Sequence, residues 1–98
     1  MLHLHLGVEE NDILSVTARA NENGQKVFVD GDGWQAWGEK PNKNGNKGPL
    51  RHVIIEVSSK AEAVNTVEQE RKFIPTMPAT LSDKAVWSTY KGAGAFPI

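Results

Sequence analysis

The sequence predicts a small α+β domain: an antiparallel sheet of about four strands, with one main helix and a short C-terminal helix packed on one face. Three observations lead there. Apolar and polar residues alternate over residues 2–6 and again over 51–57, the period of a strand with a buried face. Ser59-Lys60-Ala61-Glu62 has the spacing of a capping box, so a helix starts directly after the second of these segments. The strand patterns also come before the helix patterns instead of alternating with them, which favours an antiparallel sheet with segregated helices.

Taken in order, Leu2, Leu4 and Leu6 share one face of the first strand, and His3 and His5 share the other. Gly7 and the acidic residues up to Asp12 read as a turn. Residues 13–20 are expected to form a second strand, with Leu14, Val16 and Ala18 on one side and Ser15, Thr17 and Arg19 on the other. Asn23-Gly24 follows as a hairpin signal, because both residues tolerate the positive φ of a type I′ turn, and residues 26–30 are the return strand. Gly31-Asp32-Gly33 marks another tight turn, and residues 34–37 a short strand or bulge. Residues 38–49 hold none of the aliphatic or aromatic side chains a core uses, so they read as a long exposed loop.

The strand at 51–57 places Val53, Ile55 and Val57 on one face and His52, Ile54 and Glu56 on the other. The helix that follows is expected over 60–72, with Ala63, Val64 and Val67 as its apolar stripe. Glu62 near its start and Arg71 and Lys72 near its end suit the helix dipole. Pro75 and Pro78 interrupt the chain. Thr80 or Ser82 is expected to cap a shorter helix over 83–91, stopped by Gly92. The tail, 92–98, ends in Phe96 and Ile98, side chains suited to docking in a groove.

A chain of 98 residues fits one domain spanning 1–98. Its 39% hydrophobic and 23% charged content is that of a globular protein. A net charge of −1 argues against a dedicated duplex-DNA binder, whose affinity rests on phosphate contacts. The absence of cysteine excludes disulfides, thiolate metal sites and cysteine nucleophiles. The first dozen residues lack the basic and apolar regions of a signal peptide, and no run approaches the ~18–20 apolar residues of a membrane span. The expected location is therefore the cytoplasm or the interior of a larger particle, without membrane contact.

Three groups of residues are candidates for function. Trp34, Trp37, Trp87, Tyr90, Phe96 and Ile98 give more large apolar side chains than a minimal core needs, and aromatic rings are enriched at interface hot spots. Lys40, Lys43, Lys47 and Arg51 lie in an acid-free stretch after Trp34 and Trp37, a composition that suits single-stranded nucleic acid: cations follow phosphates and rings stack on bases. His3, His5 and His52 suit three-nitrogen metal ligation if their strands are neighbours, with Glu56 in support. They equally suit the polar face of a half-buried sheet. Asp30-Gly31-Asp32-Gly33 does not continue as a calcium loop, since Trp34 and Pro41 occupy ligand positions. No GxSxG elbow or phosphate-binding loop is present. The leading expectation is a non-enzymatic protein-interaction or structural module without a cofactor. It would be a small subunit of a larger assembly, of viral or mobile-element type, that binds a protein partner or its own copies. Nucleic-acid binding and a histidine metal site are the alternatives.

Overall fold

The computed structural model describes residues 2–29, 50–82 and 96–98. In chain order the elements are β1 (Leu2–Glu9), α1 (Ile13–Glu22), β2 (Val27–Val29), β3 (Leu50–Val57), α2 (Lys60–Glu70), β4 (Ala79–Ser82) and β5 (Phe96–Pro97), with a 3-10 turn at Glu10–Asp12. The sheet order is β2-β3-β1-β4-β5, and every neighbouring pair is antiparallel. β1 and β2 therefore run parallel on either side of β3, and β3 and β4 run parallel on either side of β1. α1 lies between β1 and β2 in the chain, and α2 between β3 and β4. Two interleaved βαβ units of this kind make the split-βαβ arrangement.

The alternation read from the sequence sets the two faces of the sheet. Leu4, Leu6 and Val8 of β1 and Val53, Ile55 and Val57 of β3 point toward the helices and meet Val16 and Ala20 of α1 and Ala63 and Val67 of α2 in one buried cluster. Burying a Val or Leu side chain is worth roughly 1.5–3 kcal/mol, so this cluster is the main source of stability. The opposite face carries His3, His5, His52, Ile54 and Glu56, paired across β1 and β3 as His3–Glu56 and His5–Ile54. Its centre is closed to solvent as well: His5, His52 and Ile54 are all buried.

The main departure from expectation is residues 13–20, which form a helix and not a strand. Ile13, Val16, Thr17 and Ala20 recur at helical spacing and turn inward, while Leu14 is 83% exposed. The β-branched residues Ile13, Val16 and Thr17 favoured a strand by propensity, and packing overrode them. Asn23-Gly24 accordingly closes this helix instead of a hairpin. Gly24 adopts φ +73, its N–H bonds to the Asn21 carbonyl, and the Gln25 N–H reaches the Ala20 carbonyl at 2.9 Å. This is the Schellman pattern, which also needs a residue that accepts positive φ.

Three smaller differences follow. β1 continues through Gly7 to Glu9, because Val8 still has a core position to fill. Helix α2 ends at Glu70, with Arg71 as its C-cap. Thr80 and Ser82, expected as helix caps, lie within β4, pairing with His5 and His3 of β1. The short helix expected over 83–91 lies outside the described residues, as does the 38–49 loop. The tail forms β5 against β4: the Ile98 N–H donates to the Ala79 carbonyl at 2.8 Å, Arg71 donates to the Ile98 carbonyl at 2.8 Å, and Ile98 packs on the core.

Candidate functional site

Three adjacent strands bring together a serine and two histidines on the face away from the helices. His5 stands at the middle of β1, His52 in β3 and Ser82 at the end of β4. His5 Nδ1 lies 2.8 Å from His52 Nε2, and His5 Nε2 lies 2.8 Å from Ser82 Oγ. The two imidazole rings are 4.9 Å apart between centroids and tilted by 31°. All three residues are at least nine-tenths buried, His5 completely. The two links connect the side chains in one line across the sheet, each passing diagonally between positions two residues apart on neighbouring strands.

Burial, reinforced by the neighbouring His5, lowers the pKa of His52 from 6.5 to about 3. His52 is therefore neutral at ordinary pH, and a neutral imidazole has one donor and one acceptor nitrogen. One hydrogen lies between the His5 and His52 rings, and Ser82 Oγ can either donate to or accept from His5 Nε2, according to the ring tautomers.

Of the histidines singled out from the sequence, the structure brings His5 and His52 together, because β1 and β3 are neighbours. His3 stands apart from them. Its Nε2 faces Glu56 Oε2 at 3.8 Å, beyond hydrogen-bond length, and its Nδ1 is buried with no hydrogen-bond partner among the described residues. Among the described residues, no group of three or more His, Asp or Glu side chains is placed to hold a metal ion. Ser82 was missed by sequence reading. The alternation Ala79-Thr80-Leu81-Ser82 carried the signal, since it sets Ser82 on the histidine face of any strand paired with β1.

The helical layer presents a different surface. An open groove of about 650 Å³ runs between α1 and α2, lined by carboxamides and carboxylates that include Gln25, Glu62 and Gln69. Arg19 of α1 crosses it to Glu70 of α2 with bonds of 2.6 and 2.9 Å, and its guanidinium stacks 4.1 Å from the centre of the Phe73 ring. Glu70 holds Arg19 firmly in its charged form. Gln25 and Ser58 both donate to Glu62, which lowers its pKa. Leu14 and Phe73 are 83% and 63% exposed.

The other candidates are placed as follows. Trp34, Trp37, Trp87, Tyr90, Lys40, Lys43 and Lys47 lie outside the described residues. So does the Phe96 side chain, although its backbone forms β5. Arg51 donates to the Glu10 carboxylate at 2.9 Å, so its charge is already compensated. No helix among the described residues is long and apolar enough to cross a membrane. Comparison with known protein families, with characterised proteins and with solved structures returned no match.

Proposed function

We propose that the chain is a protein-interaction module, a small subunit that joins a larger assembly through the outer face of its helical layer. The observation that supports this is the exposure of Leu14 and Phe73, the only large apolar side chains left open among the described residues. At ~100° per residue, Leu14, Ala18 and Glu22 follow one another around the outside of α1. Arg19 lies at the far side of that face, where it carries the Phe73 ring. The face is thus bordered by an apolar side chain on each flank, with the exposed polar residues Ser15 and Glu22 between them.

The simplest occupant is a second copy of the chain. Closed homo-oligomers are the commonest soluble assemblies, and a two-fold contact needs only one self-complementary patch. The experiment is the solution mass of the full chain beside its Leu14→Glu variant. A discrete oligomer that the variant dissolves is the expected result. The nucleic-acid alternative gains no support from Arg51, which is already tied to Glu10.

A further inference from the structure

We propose that Asn23 is a modification site, where the side chain closes on the Gly24 nitrogen and gives way to an aspartyl or isoaspartyl residue, at a rate set by opening of the end of α1. The inference goes beyond the interaction role above and does not depend on it. Asn23 precedes the residue type that hinders such an attack least: Gly24 has no Cβ, and the space beside its Cα is open. Residues 21–24 are all exposed, so water and hydroxide reach both reacting groups. Attack also needs a near-attack geometry, and the closed end of α1 withholds it. Asn23 has ψ 4°, so the Gly24 nitrogen eclipses the Asn23 nitrogen and the side chain stands a third of a turn away around the Cα–C bond. The Gly24 N–H donates to the Asn21 carbonyl at 3.0 Å, and the Gln25 N–H to the Ala20 carbonyl at 2.9 Å. The Gln25 side chain ties this end to α2, donating to Glu62 at 2.9 Å and to Thr66 at 3.1 Å. Rotation about the Asn23 Cα–C bond strains all of these bonds. Two features keep the cost of opening low. Residues 21–24 bury little surface, and Gln25 Oε1 is buried with no hydrogen-bond partner among the described residues, so opening releases an unsatisfied acceptor.

The reaction balances with water as its one co-reactant. Hydroxide takes the Gly24 amide proton, and the nitrogen adds to the side-chain carbonyl carbon of Asn23. The carboxamide C–N bond breaks, and ammonia leaves with a proton from water, which restores the hydroxide. The five-membered imide then takes up water at one of its two carbonyls. One opening gives an ordinary aspartyl residue. The other gives an isoaspartyl link, in which the main chain runs through the former side chain. Either product puts a new carboxylate at the C-terminal end of α1, where the helix dipole disfavours it, and in a groove already lined by Glu22 and Glu62. The isoaspartyl product also lengthens the main chain by one carbon inside the bonded turn that ends α1. Loss of ammonia makes the change one-way, and it loosens the contact that Gln25 makes between α1 and α2.

The test is the initial rate of conversion at Asn23 in the full chain at pH 8, folded and in guanidinium chloride, read by tryptic peptide mapping. Cleavage after Arg19 and Lys26 releases residues 20–26 as one peptide, separate from the Asn44-Gly45 pair. Fragmentation distinguishes Asn23 from Asn21, which is followed by Glu22 and serves as the internal control. The expected result is a one-dalton gain at Asn23 that is about ten- to hundred-fold slower in the folded chain than in denaturant. Gln25→Ala cuts the tie to α2 and should narrow that gap at least about three-fold, each chain being compared with its own rate in denaturant, with circular dichroism reporting its fold. No gain at Asn23 in the folded wild-type chain overturns the site. A folded rate equal to the rate in denaturant overturns the gate, and so does a gap that Gln25→Ala leaves unchanged.

Discussion

His5 Nδ1 lies 2.8 Å from Nε2 of His52, 47 residues further along the chain. The bond ties the two central strands of the sheet together on the face that the helices do not cover. It also makes folding sensitive to acid. The unfolded chain protonates His52 near 6.5, whereas the folded chain does so only near 3, chiefly because of burial and secondarily because of His5. Between these values the unfolded state holds more protons, so stability is full above pH 6.5, falls as pH drops toward 3, and levels off below that for this group. At ~1.4 kcal/mol per pH unit, the loss across the window is at most about 5 kcal/mol. Urea unfolding at pH 7.5, 6.5, 5.5 and 5 measures it. Glu62, also lowered, adds slope of the same sign only below its ordinary 4.5, so the upper half of the window isolates the histidine. A flat profile there contradicts the burial of a neutral His52.

Arg19 and Glu70 give a second prediction. Glu70 is 4% exposed, and Arg19 meets it with both ends of its guanidinium fork. Arg19→Ala strands a buried carboxylate and is expected to cost about 3 kcal/mol, since breaking one side of a buried pair is worse than never having it. A double-mutant cycle with Glu70→Gln should show strong coupling. A loss under about 1 kcal/mol, as for a surface pair, contradicts the burial of Glu70.

Ser59 offers a smaller test. Its hydroxyl accepts from the Glu62 N–H at 3.1 Å and starts α2, while the Glu62 carboxylate reaches back to the N–H and hydroxyl of Ser58. Ser59→Ala should cost about 1 kcal/mol in denaturant unfolding. Ser58→Ala should cost less, because its bonds to Glu62 are exposed.

Much of this fold was legible in the chain. Period two in β1 and β3 and the serine cap of α2 were strong local signals that packing reinforced. The helix at Ile13–Glu22 was not read, although Ile13, Val16, Thr17 and Ala20 have helical spacing, because β-branched residues and the Asn23-Gly24 pair pointed together toward a hairpin. Strand order was illegible for a physical reason: β1 pairs with β3 and β4 through contacts far apart in sequence, which no local pattern records. The site divided along the same line. His5 and His52 were singled out from their alternation, but Ser82, 77 residues from His5, entered only with the register of β4.

Leu14 separates folding from association. It sits on the outside of α1, so Leu14→Glu should leave unfolding free energy within about 0.5 kcal/mol of wild type, measured on the dissociated chain at low concentration. A loss of 2 kcal/mol or more would mean that Leu14 belongs to the core.

The most direct measurement of the interaction role is the mass of the full-length chain by light scattering over a range of concentrations, beside Leu14→Glu. The account predicts a discrete oligomer for the wild type and a monomer of 10.7 kDa for the variant. A wild-type chain that stays monomeric at every concentration would contradict it.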